Sequence, residues 1–404
     1  MSSFKLGPAF LVTAAFIGPG TVITATLSGA SFGFSLLWAI VFSTGATLVL
    51  QEMTARLGVV TQQGLGENIY NATSGKSFGI LLKLLIVSAI VVGNGAYQSG
   101  NIAGATLGLD SLLSGVVSDT HIPIWPVLIG LIATIVLATG SYKVIERALI
   151  FLVLLLSIAF IATFILIKPD LAAFFQGMFI PSIPDGALLT VVALIGTTVV
   201  PYNLFLHSSI ASKKWQCIDH LKHAKRDLYL SIPLGGLVTI AIASTAAAAF
   251  FHHQITIESA KDIAPALYPL LGDNSGLLIG IGLFAAGISS AITAPLAAAY
   301  ALAGVFNLST ELKSKSFKLT WFCIILLGTF FASLQIKAVM IVKFAQVTNG
   351  ILLPVVVCFL LWIMNSEKLG QYKNSWQQNA LAALVLLVTL ILSARSLMSA
   401  FNLL

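Results

Sequence analysis

Long apolar runs, each of about the twenty residues a bilayer crossing requires, follow one another along the whole chain with short polar connections between them. They fall at roughly 8–32, 35–57, 78–107, 123–140, 144–167, 187–210, 228–251, 276–305, 317–336, 340–364 and 378–402, which predicts eleven transmembrane helices. An all-α polytopic membrane protein follows, with residues 1–404 forming a single transmembrane domain and no room for a folded aqueous one. Composition supports that reading: 58% of the 404 residues are hydrophobic and 9% are charged. A soluble domain carries about a quarter charged residues, so soluble enzymes, nucleic-acid binders and secreted disulfide scaffolds are excluded as classes.

The few charges are informative by position. Sixteen of the 21 basic residues lie at the N-terminus and in the connections near 56–83, 143–147, 213–226, 313–318 and 368–373. By the positive-inside rule this predicts a cytoplasmic N-terminus and an outer C-terminus; the expected location is the plasma (inner) membrane of a prokaryote. The basic run from Lys213 to Arg226 then reads as topology and contact with lipid headgroups; no nucleic-acid partner is expected. Cys217, Cys323 and Cys358 have no ligand spacing and read as packing residues, with no cofactor implied. The apolar N-terminal run reads as a retained first helix.

Two spans carry residues that a continuous helix disfavours at their middles. The first contains Gly18-Pro19-Gly20-Thr21 and the sixth Val200-Pro201-Tyr202-Asn203. Proline lacks a backbone donor and clashes with the preceding turn, so both spans should unwind near the bilayer midplane, where freed backbone groups must line a cavity. A proline kink alone is common. Breaks five crossings apart, in spans that enter from opposite sides, indicate an inverted repeat with a central substrate site. The first repeat covers about 8–168, the second about 187–364, and the helix at about 378–402 is additional.

The residues around these breaks resemble the Nramp family of metal transporters. The resemblance runs through Gly7-Pro8-Ala9-Phe10, Ile17-Gly18-Pro19-Gly20-Thr21, the second-span stretch Gln51-Glu52-Met53-Thr54-Ala55-Arg56, and Pro201-Tyr202-Asn203-Leu204-Phe205-Leu206-His207-Ser208. It implies a LeuT-type fold of ten core helices in a 5+5 inverted repeat, discontinuous in helices 1 and 6, with one extra helix here. It also implies a divalent cation held between the breaks and proton coupling, for which His207 matches a family histidine.

This sequence departs from the family at the ion-binding positions. Gly18, Thr21 and Val200 stand where the family has Asp, Asn and Met, and Thr197 takes the position that offers a backbone carbonyl. A family acidic pair in the third helix aligns with Asn94 and Tyr97, and a tenth-helix glutamine aligns with Leu352. Thirteen of the 14 acidic residues fall in predicted connections or at helix ends; only Glu52 lies inside a span, within a turn of Arg56. A dehydrated divalent ion at mid-membrane would have no carboxylate to offset its charge, which is costly.

The expected substrate site therefore comprises Gly18, Pro19, Gly20, Thr21, Thr197, Val200, Pro201, Tyr202 and Asn203, with no side-chain metal ligand. Helices starting after Gly20 and after Pro201 would aim backbone amides and positive dipole ends at a small anion. Asn94, Tyr97, His207, Lys343 and Gln346 are candidates for coupling or the pathway. His207 and the neutral side chains have ordinary structural readings as well, and Lys343, early in span ten, reads first as an ammonium snorkelling to the outer interface. His252-His253 lacks a third ligand and reads as solvated. The leading expectation is an alternating-access secondary transporter of a small neutral or anionic solute, with protons as a potential coupling ion. The alternative is proton-coupled uptake of manganese or magnesium, and a second alternative is a transport-inactive sensor or scaffold. No nucleophile, base and orienting group converge, so no enzyme is expected.

Overall fold

The computed structural model describes residues 17–77, 79–113, 123–140, 143–251, 257–334 and 336–400. Gly7 to Phe10, the first half of span one and the His252-His253 pair lie outside them. In hydrocarbon every backbone donor and acceptor has to be paired within the segment, so apolar runs of this kind become helices. They are α1 (Pro19–Phe32), α2 (Leu37–Thr61), α3 (Leu65–Thr73), α4 (Gly79–Leu112), α5 (Ile124–Thr139), α6 (Lys143–Ile167) and α7 (Leu171–Phe179). Then come α8 (Leu188–Thr198), α9 (Pro201–Lys214), α10 (Leu221–Phe250), α11 (Ser275–Val305), α12 (Lys315–Ala332), α13 (Ala338–Met364) and α14 (Trp376–Ala400), with short helical turns between α10 and α11.

Every expected span has its helix. Eight helical stretches among the described residues are long and apolar enough to cross a membrane, with α8 and α9 counted as one. The most hydrophobic part of that stretch is 89% buried, against 33% for α6 and for α14, so the broken sixth span stands at the centre and α6 and α14 at the periphery. Around the centre, α4 runs along both α11 and α13, α1 lies on α10, α8 on α13 and α9 on α2. Leu81, Phe151, Ile165 and Leu319 are among many large apolar side chains left exposed on the outer faces, where lipid takes the place of a protein neighbour.

The sixth-span interruption is present, and in the first span the described residues show a helix that starts at the expected break. Gly18 is extended (φ −93°, ψ −175°) and α1 starts at Pro19, two residues earlier than expected. In the sixth span α8 stops at Thr198, Val199 (φ −97°, ψ 78°) and Val200 (φ −81°, ψ 117°) are non-helical, and α9 starts at Pro201. A proline at the first helical position lacks an N–H that would have no intrahelical partner there in any case.

Three further differences have local causes. α10 begins at Leu221 instead of 228, because Lys222, Lys225 and Arg226 are good helix formers and carry the helix beyond the apolar run. α3 and α7, absent from the sequence reading, are short amphipathic helices. Asp170 caps α7, its Oδ1 accepting from the amides of Ala172 (2.9 Å) and Ala173 (3.4 Å).

Candidate substrate site

The two breaks meet through hydroxyls. Thr21, in the first turn of α1, and Thr197, in the last turn of α8, are fully buried, and their Oγ1 atoms lie 2.9 Å apart. Thr47 on α2 donates to the Thr198 carbonyl (3.3 Å), which fixes the end of α8 against a second helix. Beyond the break, Tyr202 packs on Tyr97 of α4 with ring centroids 5.0 Å apart, and the two hydroxyls share a hydrogen bond. Tyr97 also hydrogen-bonds Ser290 of α11, so the first turn of α9 is tied to two core helices.

Close backbone approach brings α13 and α4 onto the first break. A Cβ at Gly20 would lie 2.2 Å from Gln346 Nε2, so the Gln346 amide rests directly on the backbone of the break. A Cβ at Gly104 would lie 2.2 Å from the Pro19 ring, so only glycine lets α4 meet the start of α1 here.

Several buried amides at this level have an atom without a hydrogen-bond partner. They are Asn203 Oδ1, both polar atoms of Gln346, both of Asn349, both of Asn101, and the Asn94 and Gln98 oxygens; Thr24 Oγ1, one turn after Thr21, is another. Buried polar groups are normally paired, and each unpaired one costs about 1–3 kcal/mol. Gln98 apart, such a concentration of unpaired amide oxygens and amide nitrogens around two helix breaks fits a place where a polar or ionic substrate supplies the missing partner. The backbone amides are differently placed. Thr21 N donates to Gly18 O (3.1 Å) and Asn203 N to Val200 O (3.0 Å), while Pro19 and Pro201 have no N–H at all. The expected anion cradle of free amides is therefore occupied in part, at Thr21, Val22 and Asn203. The C-terminal end of α8 meanwhile brings the negative end of a helix dipole to the same point.

The pathway candidates separate. Tyr97 and Gln346 are at the breaks. Asn94 turns its amide back to Ile90 O on its own helix (3.1 Å). His207, buried one turn beyond Asn203, donates from Nδ1 to Gln51 Oε1 on α2, with Thr54 Oγ1 3.4 Å from the same nitrogen. An amide oxygen only accepts, so this contact sets the tautomer with the proton on Nδ1. Lys343 is half-buried, one turn before Gln346, and enters no ion pair among the described residues. Glu52 is committed elsewhere: Arg56 Nη2 donates to it at 3.0 Å and Lys225 Nζ lies 3.0 Å from its other oxygen, without hydrogen-bond geometry.

Sequence reading missed Asn349, Asn101, Gln98 and Gln51. A signal was available: Asn94, Gln98 and Asn101 stand at i, i+4 and i+7, and Gln346 and Asn349 at i and i+3, so each set stacks along an otherwise apolar helix. Of the first set, Gln98 faces away and donates to Ala291 O of α11 (3.0 Å).

The profile described as "Natural resistance-associated macrophage protein-like" (Nramp) matches residues 9–399, nearly the whole chain. The chain belongs to the Nramp family. A divalent metal cation transporter MntH of Yersinia pestis (strain Pestoides F) is 29% identical over 400 residues, covering 98% of this chain and 94% of the relative. One from Pectobacterium carotovorum is 27% identical over 395 residues, 95% and 91% of the two. Among solved structures, the Eremococcus coleocola manganese transporter superposes with a TM-score of 0.76 at 22% identity, over 97% of this chain and 86% of that one. MhsT in complex with L-phenylalanine gives 0.61 at 16% identity over 99% of both chains. Inward-facing Mhp1 gives 0.59 at 15% identity over 98% of this chain and 91% of that one. The Nramp chain thus has the LeuT-type fold and is a transmembrane transporter, not an enzyme.

Proposed function

We propose that this Nramp chain is a secondary transporter of a divalent metal cation, held between the two breaks with part of its hydration shell retained. The expectation of a small neutral or anionic solute gives way to what was its alternative. Relatives matching almost the whole chain are named as divalent metal and manganese transporters. The observation that carries the reading is the set of unpaired amide oxygens around the breaks, together with amides already tied to Gly18 and Val200 carbonyls. Asn203 Oδ1, the Thr21 and Thr197 hydroxyls, and the Gln346 and Asn349 oxygens are neutral oxygen donors of the kind that hard cations accept. Gly18 and Val200 contribute backbone only. Without a carboxylate the ion keeps several waters, because complete dehydration at this depth is the costly step. That favours a strongly hydrated ion such as magnesium over one bound by a thioether.

The second reading, a neutral or anionic solute, draws on the same lack of carboxylates at Gly18 and Thr21. Flux into liposomes separates the two. Saturable uptake of Mg²⁺ or Mn²⁺, cut at least tenfold by Asn203→Ala, is expected. Absence of flux for both ions, with saturable uptake of an uncharged or anionic solute, would refute the metal reading. Imposing a pH gradient in the same assay tests proton coupling through His207: coupling predicts gradient-driven metal accumulation that His207→Gln abolishes.

A further inference from the structure

At the lysine-rich end of the bundle a polar cavity of about 890 Å³ opens between the α3–α4 connection and the turn joining α13 to α14. Lys76 and Lys368 stand on its rim, and Asn71, Asn365 and Asn379 contribute amides. Its lining residues include no carboxylate. The Lys76 ammonium sits 5.0 Å over the Trp362 ring. That indole, 38% exposed, also belongs to a second feature: an apolar groove of about 380 Å³ on the outer surface, formed by Leu82 and Leu85 of α4, Val355, Cys358 and Phe359 of α13, and Leu390 of α14. The two share Trp362 as a common wall.

The combination is amphipathic along the membrane normal. From Met364, the end of α13, down to Pro354 at the foot of the groove is ten residues, about 15 Å at 1.5 Å per residue. That is half of a hydrocarbon core of about 30 Å, one leaflet. Tryptophan at the junction is the residue that favours the level where headgroups meet acyl chains. Basic pockets between transmembrane helices select anionic headgroups, and the leaflet facing the basic ends of a membrane protein is the one rich in them.

We propose that this place is a binding site for one anionic glycerophospholipid, with its phosphate between Lys76 and Lys368 and an acyl chain in the groove below Trp362. The bound lipid bridges α3 and α4 to α13 and to the additional helix α14. It is distinct from the substrate site, and its test does not depend on what the protein transports.

Native mass spectrometry of the full chain, released from micelles carrying phosphatidylglycerol or phosphatidylcholine, reads the site. One retained phosphatidylglycerol and at least fivefold less phosphatidylcholine are expected. Lys76→Gln with Lys368→Gln should lower phosphatidylglycerol retention at least fivefold, and the corresponding arginine pair should preserve it. Val355→Trp, which fills the groove and leaves the lysines in place, should also lower it. Lys313→Gln with Lys315→Gln, exposed residues on another connection, removes the same charge and should leave retention unchanged. If the paired glutamine variant does not elute as a folded protein, the single Lys368→Gln variant is read instead. The proposal is overturned by equal retention of the two lipids, by equal loss in the control pair, or by an unaffected Val355→Trp. It is also overturned if millimolar inorganic phosphate displaces the lipid completely, since the pocket would then be a simple phosphate site.

Discussion

Replacing Arg56 with methionine removes the centre of a buried polar cluster that joins α2 to the connection after α13. Its Nη1 donates to the carbonyls of Tyr372 (2.8 Å) and Lys373 (3.2 Å), and its Nη2 to Glu52 Oε2 (3.0 Å) and Asn374 Oδ1 (2.8 Å). The Arg56 and Glu52 side chains are only 5% and 7% exposed, so neither charge has recourse to water when its partner goes. Truncating one member of a buried ion pair costs about 3–5 kcal/mol, chiefly because the other charge is left buried. Lys225 recovers little of this, since its side chain is 37% exposed and its attraction is screened. Arg56→Met should therefore cost about 3–5 kcal/mol and free the connection after α13 from α2. Glu52→Gln should cost about 1–3 kcal/mol, because Arg56 keeps three neutral acceptors and the new amide oxygen still accepts. Arg56→Lys falls between, since an ammonium keeps the charge but loses the fork that reaches four acceptors at once. Melting curves of the purified variants, with the Glu52→Gln/Arg56→Met double variant to close a cycle, measure this; a coupling of about 0.5–3 kcal/mol is expected for neighbours in one network. An Arg56→Met variant within 0.5 kcal/mol of wild type, or a Glu52→Gln variant as costly as Arg56→Met, would refute the reasoning.

The substrate site gives three further expectations. Asn203→Asp adds a charge where the unpaired oxygen stands; at about 4 Å and an effective dielectric of 20, a unit charge pair is worth about 4 kcal/mol, so Mg²⁺ or Mn²⁺ binding by isothermal titration should tighten at least tenfold, and unchanged affinity contradicts the placement of the ion. Gly104→Ala drives a methyl into the Pro19 ring and should destabilise by about 1–3 kcal/mol with loss of flux, whereas Gly45→Ala on exposed α2 surface, with open space around it, should stabilise by about 0.5–1 kcal/mol in the same melts. Thr21→Val deletes the link between the breaks and leaves the Thr197 hydroxyl without that partner, at a cost of about 0.5–1.5 kcal/mol, and the double variant with Thr197→Val should cost less than the two singles combined, because the Thr197 hydroxyl is then gone as well.

Much of the architecture is legible in the residues because a bilayer leaves so few choices. Apolar run length gives each crossing, and a proline with a poor helix former before it gives each break. Proline alone is insufficient: Pro233, Pro295 and Pro354 lie within continuous helices, where neighbouring helices and local adjustment accommodate the lost bond. The candidate site was legible in part, as Thr21, Thr197, Tyr202 and Asn203 follow from the breaks themselves. Asn349 did not follow from a break: its i, i+3 spacing with Gln346 puts the two amides on one face of span ten but does not say that this face meets the breaks.

The chain by itself thus determined that it spans a membrane, where it is interrupted, and which charges its interior lacks. Tertiary structure decided which polar groups meet at the breaks. Hydrogen bonding is a matter of distance between side chains 176 residues apart, as for Thr21 and Thr197, and no local pattern encodes which acceptors such pairings leave over. The leftover oxygens of Asn203, Gln346 and Asn349 are such acceptors, and the proposed hydrated cation would use them.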